Sequence, residues 1–365
     1  MAAPLLPKAA WAGGTRPGKA KRILVLGGTV FLGPAVVDAA LRRGHEVALF
    51  NRGKSNPGLY PELKKFKGDR DKGELDALRG EKFDAIVDTS GYVPGHVEAT
   101  AKIFADVAEH YTFISSISVY KDFSNVQGTI DEDAELLTVS QEVIDSVKLI
   151  RESFPHYGAM KALCEQAAEK TMPGRVANIR PGLIVGPMDR SDRFTWWPVR
   201  VDRGGEVLAP GDPNALVQPI DVRDLGEWVV HCIENQVTGF YNACGFDGEL
   251  SMEEFLHGCK CGTSTPVQFT WADEAFLKEQ GVGPWMEMPM WLPEEGNTYV
   301  NNRRAIEQGL KFRPIADTIR DTLAWAKNER GDRPFNRTGI RPDKEKKVLA
   351  AFHERHKAAE EKSGS

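Results

Sequence analysis

A tyrosine and a lysine four positions apart, Tyr157 and Lys161, are the pair in this sequence best suited to move a proton. Residues four apart lie on one face of a helix, so the phenol and the ammonium would point the same way. A nearby ammonium favours phenolate and lowers the pKa of a tyrosine, which lets the phenol act as a general acid or base. Ser116 follows a short apolar run and could hold a substrate oxygen beside them. Such a pair also occurs by chance on a helix surface.

The second informative stretch is Arg22-Ile-Leu-Val-Leu-Gly-Gly-Thr-Val-Phe-Leu-Gly33, an apolar run that leads into a glycine turn. This order predicts a buried strand, a tight turn and a helix whose amino end points at phosphates. The stretch therefore indicates a dinucleotide site, although a lone glycine turn is weak support. The predicted cofactor contacts in this turn are Gly27, Thr29, Phe31, Leu32 and Gly33.

The end of the next predicted strand bears on the choice of dinucleotide. NAD enzymes usually carry a carboxylate there for the ribose hydroxyls, whereas this chain has Asn51-Arg52-Gly53-Lys54-Ser55. Two cations and no acid suit a 2'-phosphate, which favours NADP(H) over NAD(H). The alternative is a solvated basic loop. Asp69 is placed to meet the adenine. The remaining predicted cofactor contacts are Arg70, Thr89, Ser90, Gly91, Lys161 and Pro181.

Short apolar runs that alternate with helical patterns must position these residues. They predict strands at 22–27, 46–50, 65–69, 83–88, 111–115 and 175–180, and helices at 33–43, at 96–110 and from Tyr157. The alternation predicts an α/β fold with a Rossmann-type doubly wound parallel sheet and a smaller C-terminal substrate lobe. The predicted segments are a flexible leader or signal remnant (1–20), an NAD(P)-binding domain (21–181), a substrate lobe with parts returning to the main domain (182–335) and a charged C-terminal helix or tail (336–365).

Composition narrows the classes of partner. The chain has 365 residues, a net charge of -5 and a pI of about 6.0, so it lacks the basic surplus that nucleic acid demands. No apolar run is long enough to cross a membrane. The pair Cys259 and Cys261 lacks a second pair of ligands, so we expect no metal. We expect a cytoplasmic monomer or homodimer that binds a small molecule; an Ala/Pro-rich start leaves export as the alternative.

These motifs together resemble the short-chain dehydrogenase/reductase superfamily, in its extended branch of epimerases, dehydratases and reductases. The resemblance covers roughly residues 21–330. It implies that Tyr157 is the acid/base, that Lys161 holds the nicotinamide ribose and tunes Tyr157, and that Ser116 orients the substrate. The segments that carry the resemblance are Gly27–Gly33, Gly68-Asp69, Ser115–Tyr120, Tyr157–Lys161, Arg180-Pro181 and Ile220–Leu225.

The chain departs from the family pattern in three respects. Val30 replaces the middle glycine of the turn, which predicts either a pyrophosphate that sits further out or a reshaped turn. Leu183 and Val217 stand where nucleotide-sugar enzymes usually carry an Asn and an Arg for the diphosphate, which argues against a nucleotide-sugar substrate. Ile117-Ser118 follows Ser116 where 4,6-dehydratases carry an acid pair. Phe50-Asn-Arg-Gly53 also resembles atypical members of the superfamily, some of which are linked to RNA.

The predicted substrate contacts are Ser118, Arg193, Trp196 and Trp197. Adjacent tryptophans could stack on a sugar ring or pack between the two lobes. The leading hypothesis is an NAD(P)-dependent oxidoreductase acting on a secondary alcohol or ketone, possibly of a sugar or glycoside. The alternatives are an NAD-dependent sugar epimerase and a non-catalytic nucleotide-sensing or RNA-binding protein. The sequence does not name the substrate.

Overall fold

A computed structural model describes residues 19–124, 128–293 and 298–363 of the chain. The strands are β1 Arg22–Leu26, β2 Glu46–Asn51, β3 Lys64–Lys67, β4 Ala85–Asp88, β5 His110–Ile114, β6 Thr129–Ile130, β7 Val176–Pro181, β8 Leu183–Val185, β9 Gly205–Pro210, β10 Pro219–Asp221, β11 Gly239–Ala243, β12 Val267–Ala272 and β13 Tyr299–Val300. The helices are α1 Leu32–Arg42, α2 Pro94–Phe104, α3 Gln141–Ser146, α4 Ile150–Ser153, α5 Tyr157–Thr171, α6 Trp196–Asp202, α7 Val222–Asn235, α8 Met252–Cys261, α9 Glu274–Glu279, α10 Arg303–Glu307, α11 Ile315–Trp325 and α12 Pro342–Ser363.

The centre of the fold is a parallel sheet. Within the described ranges it has seven strands in the order β11-β7-β5-β4-β1-β2-β3. The inner strands β4 and β5 are buried along their whole length because helices cover both faces of the sheet. This arrangement confirms the predicted Rossmann-type sheet.

The strand order places a crevice between β1 and β4. From β1 the chain moves outward to β2 and β3, then crosses back to β4 on the other side of β1. The loops that follow β1 and β4 therefore diverge at the carboxyl edge of the sheet, which is where open α/β sheets bind their ligands. The glycine turn follows β1, and Thr89-Ser90-Gly91 follows β4.

Helices on the two faces of the sheet bury separate apolar clusters. On one face, α1 and α7 pack Val36, Val37, Trp228 and Val229 against the strands. On the other face, the cluster includes residues of α2 and α5, among them Phe104 and Cys164. Both clusters hold the carboxyl edge of the sheet in a fixed geometry, because the strands that end there are buried from both sides.

Residues after β7 contribute to the sheet and to a further core. β11 pairs in parallel with β7, so a late segment does return to the main sheet. The parallel pair of β9 and β12 packs with α6, α8 and α12 around a cluster that contains Phe194 and Phe255. The long final helix contributes only a narrow apolar stripe, with Val348 and Leu349 buried against this cluster.

Several predicted boundaries need correction. The helix expected at 96–110 ends at Phe104, because a short turn must follow it before β5 begins at His110. The third strand ends at Lys67 rather than at Asp69, whose carboxylate instead accepts a hydrogen bond from the N–H of Asp71. The expected leader lies almost wholly outside the described residues. In the described part of the chain, no helix is long and apolar enough to span a membrane.

Candidate active site

A cleft of about 1040 Å³ opens at the carboxyl edge of the sheet, between the glycine turn and the start of α5. It brings together most of the predicted site residues from elements far apart in the sequence. The predicted residues that line it are Gly27, Thr29, Phe31, Leu32, Asn51, Arg52, Lys54, Ser55, Asp69, Arg70, Thr89, Ser90, Ser116, Ser118, Tyr157, Lys161, Pro181 and Arg193.

The glycine turn is built without a middle glycine. Gly27 and Gly28 have φ values of 114° and 69°, and Phe31 takes a third positive φ of 47°. Val30 thereby avoids the left-handed region that would strain a β-branched side chain. A Cβ on Gly33 would lie 2.6 Å from the Gly28 backbone, so a side chain there would displace the turn from α1. The turn therefore accommodates Val30 by taking its positive φ values at Gly27, Gly28 and Phe31.

The amino end of α1 is suited to hold a phosphate. Its N-cap residue, Phe31, makes no side-chain capping hydrogen bond, and the first turn contains no acid. The free N–H groups and the helix dipole there favour an anion. These observations support the predicted dinucleotide at this end of the cleft.

The end of β2 forms the wall predicted to meet the adenosine ribose. Asn51 accepts a hydrogen bond from the N–H of Gly53 (2.8 Å), while its amide nitrogen is buried without a partner among the described residues. Arg52 and Lys54 are exposed on the cleft and pair with no carboxylate within the described ranges. Asn56 donates to the carbonyl of Thr29 (2.8 Å) and so ties this loop to the glycine turn. The wall thus offers donors and positive charge.

Arg70 lines the cleft, but its guanidinium is engaged by neighbouring side chains, and its role as a cofactor contact stays a prediction. Its guanidinium donates two hydrogen bonds to Asp88 (2.7 and 3.0 Å) and one to Ser90 Oγ (2.7 Å). Both members of the ion pair are buried. Burial disfavours both charges, yet their attraction prevails: the pKa of Arg70 is raised and that of Asp88 is lowered. Arg70 therefore braces the ends of two strands.

Tyr157 begins α5 at the floor of the cleft, near Ser116. The close approach is possible because residue 158 is glycine: a Cβ there would lie 1.9 Å from the carbonyl oxygen of Ser118. Burial raises the pKa of Tyr157, while a hydrogen bond with Ser116 and the charge of Arg193 lower it. The net direction is upward, so the predicted lowering of this pKa is wrong for the chain without cofactor. The phenol is protonated at neutral pH.

Lys161 is buried one helical turn further along. Its ammonium donates to the carbonyl of Gly91 (2.8 Å), in the loop after β4, and to the carbonyl of Ile114 (2.5 Å), the last residue of β5. It also lies 5.0 Å from the ring centre of Tyr92 and 4.3 Å from that of Phe113. Burial lowers its pKa to about 8. Two of the three ammonium hydrogens are thus engaged, and Lys161 and Tyr157 share one helix face as predicted.

Trp196 and Trp197 do not reach the cleft, and their predicted contact with substrate is wrong. Both are buried in the core that contains Phe194, and Trp197 Nε1 donates to the carbonyl of Pro289 (2.6 Å). Their ring centres are 4.6 Å apart in an edge-to-face arrangement. They are core residues because α6 turns its first residues inward, whereas Arg193, just before that helix, remains in the cleft.

Three further side chains of the lining, those of Tyr92, Asp189 and Trp285, bear on the chemistry of the cleft. Tyr92 packs against Tyr157 with ring centres 6.3 Å apart, and burial raises its pKa to about 12. Asp189 is buried, and burial raises its pKa. Trp285 brings an aromatic ring from a distant loop. The Trp- and Met-rich composition of residues 284–291 was the signal in the sequence for Trp285. No local pattern marked Tyr92 or Asp189.

The cysteines and acids form no metal site in the part of the chain that the structure describes. No group of three or more His, Cys, Asp or Glu residues there could hold an ion. Cys259 is buried in the core and Cys261 is exposed, so the two thiols do not face a common point.

Comparisons with known proteins agree with this geometry. The chain is 26% identical over 234 residues to a chloroplast stem-loop binding protein of 41 kDa from Arabidopsis thaliana. The matched region covers 59% of this chain and 56% of that protein. The chain therefore spans little more than half the length of this curated relative. That protein's name refers to the binding of stem-loops.

Solved structures share the fold. The WbmG enzyme of Bordetella bronchiseptica, in complex with NAD and UDP, matches with a TM-score of 0.62 at 17% identity, over 86% of this chain and 96% of that one. The human epimerase family protein SDR39U1 with NADPH matches with a TM-score of 0.56 at 19% identity, over 83% of this chain and 99% of that one. At such identities the likeness shows the fold alone.

A family model decides the classification. Residues 23–244, from β1 to just past β11, match the model described as the NAD dependent epimerase/dehydratase family. This range contains the glycine turn, Asn51 with its unpaired amide nitrogen, and the pair of Tyr157 and Lys161. The hydrogen-bond donors on the walls of the cleft fit a dinucleotide. The chain belongs to the NAD dependent epimerase/dehydratase family, whose members are enzymes of the short-chain dehydrogenase/reductase type that use a nicotinamide dinucleotide.

Proposed function

We propose that this protein is an NAD(P)-dependent oxidoreductase acting on a secondary alcohol or ketone, with Tyr157 as the proton donor and acceptor. One observation carries the proposal: Tyr157, Ser116 and Lys161 line the same cleft as the glycine turn. A dinucleotide held by the turn would extend along the cleft toward these three side chains.

The chain's own groups divide the work between them. The bound nicotinamide supplies or takes the hydride. Because burial keeps Tyr157 protonated, its Oη starts as the donor of a proton to the substrate oxygen when a ketone is reduced. Ser116, which lines the cleft with Tyr157, orients the same oxygen. Lys161 has one ammonium hydrogen left for a ribose hydroxyl and keeps a positive charge on the floor of the cleft.

NADP(H) is the preferred cofactor under this proposal. Arg52 and Lys54 stand on the cleft wall without carboxylate partners among the described residues, and a 2'-phosphate would supply the missing anion. Asn51, in place of an acid, removes the repulsion that a carboxylate would exert on that phosphate. The neighbouring Asp69 remains placed to meet the adenine.

The substrate is not a nucleotide sugar under this proposal. Leu183 gives an apolar side chain to the cleft, and Val217 is buried in the adjoining core. A diphosphate at these positions would leave its charge without a donor, at a cost of several kcal/mol. Calorimetric titration of the NADPH-bound protein with UDP and with UDP-glucose tests this point. Micromolar binding of either ligand would overturn it.

Replacing Tyr157 with phenylalanine tests the catalytic role. Turnover of NADPH with a panel of ketones and aldehydes should fall by about 10²–10⁴-fold, while NADPH affinity stays nearly constant, because only the ionisable hydroxyl is lost. Tyr299→Phe, which removes a phenol outside the cleft lining, is the matched control. Equal activity of the two variants would contradict the assignment.

Two alternatives rest on the comparisons. The family contains epimerases, which use the same groups but return the hydride to the substrate, so an epimerase would show product without net consumption of NADPH. The name of the Arabidopsis relative favours RNA as a ligand. Filter binding to a stem-loop RNA, with and without NADPH, separates this reading from the enzymatic one. The net charge of -5 weighs against it.

A further inference from the structure

Arg193 is a cation at the reacting end of the cleft, the part lined by Ser116, Ser118 and Tyr157. It lies just before α6 and is half-buried. Burial lowers the pKa of Arg193 and raises that of Tyr157, and the electrostatic interaction between the two side chains partly opposes both shifts. Any substrate whose oxygen meets Tyr157 therefore also comes within reach of this charge.

The guanidinium is held in place before any ligand arrives. Its Nε donates to Ser191 Oγ (3.2 Å), and its plane lies 4.8 Å from the ring centre of Trp285. Ser191 is itself fixed, because its Oγ and N–H donate to the Asp189 carboxylate (2.7 and 2.8 Å). A fixed guanidinium loses little entropy on binding, so it can favour a planar anion strongly.

Arg193 forms no direct ion pair with a carboxylate in the described part of the chain, in contrast to its neighbours, although the Asp189 charge acts on it from a distance. Arg200 pairs with Glu345 (2.8 Å), Arg223 with Asp221 (2.7 Å) and Arg330 with Asp192 (2.9 Å). The negative charge of Asp189 acts to raise the pKa of Arg193, against the larger effect of burial. Both carboxylate oxygens of Asp189, however, accept hydrogen bonds from Ser191.

Arg193 is thus a partly desolvated cation whose two terminal NH₂ groups have no partner among the described residues. Its Nε is the only guanidinium nitrogen for which that part of the chain provides an acceptor. A half-buried cation without a counterion is unfavourable, and an incoming anion would relieve the cost.

We propose, on the basis of the oxidoreductase function above, that the substrate carries a carboxylate or a phosphate close to its reacting carbon and that Arg193 binds this group through both terminal NH₂ groups. The substrate class is then a hydroxy or keto acid, a uronic acid or a sugar phosphate. The anion sits beside Tyr157 rather than at Leu183 and Val217, where nucleotide-sugar enzymes bind the diphosphate. Arg193 fixes the substrate and leaves the proton transfer to Tyr157.

Calorimetric titration of the NADPH-bound protein tests the proposal without requiring turnover. The probes are glucuronate, glucose 6-phosphate and uncharged glucose. At least one anion should bind on the order of 10- to 100-fold more tightly than glucose, and Arg193→Gln should abolish that preference. Arg193→Lys, which keeps the charge but loses the paired donors, should retain only part of it. Arg190→Gln removes an exposed arginine outside the cleft lining and should leave the preference intact.

The outcomes separate this proposal from the oxidoreductase assignment. Preference for one anion over the other supports the proposal and identifies the group as carboxylate or phosphate. Equal affinity for glucose and both anions, no binding of either anion, or a preference that survives in Arg193→Gln would overturn it. If Arg193→Gln does not fold, an undiminished preference in Arg193→Lys overturns it instead. Loss of activity in Tyr157→Phe is measured independently, so failure of one proposal does not imply failure of the other.

Discussion

The buried pair of Arg70 and Asp88 leads to a prediction about stability. The two side chains are 5% and 0% exposed, and Asp88 also accepts hydrogen bonds from Tyr111 Oη (3.0 Å) and the N–H of Ser90 (3.0 Å). Asp88→Asn keeps the shape of the side chain but leaves the Arg70 charge buried without a counterion. Breaking a buried pair in this way costs about 3–5 kcal/mol. Since folded proteins are stable by about 5–15 kcal/mol, the variant should lose about a fifth or more of its free energy of unfolding.

Urea denaturation, followed by tryptophan fluorescence, measures the effect. The matched control is Glu81→Gln, which breaks an exposed pair with Lys64 (59% exposed) and should cost no more than about 1 kcal/mol. Because the Asp88 pKa is lowered, the contribution of the pair is present at neutral pH and is lost only as the pH falls through the folded-state pKa of Asp88. The difference between Asp88→Asn and the unchanged protein should therefore shrink in acid.

A double variant separates the charge from the packing. Arg70→Met with Asp88→Leu removes both charges and should recover much of the stability lost in Asp88→Asn, because no unpaired ion stays buried. The argument is refuted if Asp88→Asn is no less stable than Glu81→Gln. It is also refuted if the double variant is as unstable as Asp88→Asn, since burial of the isolated charge would then not be the cause.

Three further predictions concern the cleft. Burial lowers the Lys161 pKa to about 8, so NADPH affinity, measured by fluorescence titration, should fall as the pH rises through that value. The Asp88 charge raises the Lys161 pKa, so in Asp88→Asn the affinity should fall at a lower pH. Arg52→Ala should weaken NADPH by about 1.5–3 kcal/mol more than NADH, and equal losses would mean a solvated loop. Gly33→Ala should abolish NADPH binding because its Cβ would lie 2.6 Å from the turn, whereas Gly95→Ala, which meets no atom within 4 Å, should bind normally.

The sequence sufficed for features that depend on local pattern. Apolar runs bounded by glycine and polar residues predicted the strands, and the four-residue spacing of Tyr157 and Lys161 predicted their shared face. In each case the deciding interaction lies within a few residues of the pattern itself.

The errors have a common cause in contacts between distant residues. The ion pair of Arg70 with Asp88 was not predicted, because the two residues meet only after the chain has crossed the sheet. Trp197 is buried because its indole reaches Pro289 in a loop that no local pattern assigns to it. The pKa of Tyr157 rises because burial, which depends on the whole cleft, outweighs the groups that lower it.

The three buried cations at the carboxyl edge of the sheet explain how the cleft is both rigid and reactive. Arg70 is held by Asp88 and Arg180 by Glu165, and the pKa of each arginine is raised. Lys161 is bonded only to carbonyls and packed on rings, and its pKa is lowered. Arg70 and Arg180 are thus each paired with a carboxylate and stabilise the sheet edge. Lys161 has no carboxylate partner among the described residues, and it lies beside Tyr157, the residue that transfers the proton in the proposed function. A site that stabilised Lys161 equally well within the protein would leave it no donor for a ligand, so the incomplete compensation of this one residue is what the proposed chemistry requires.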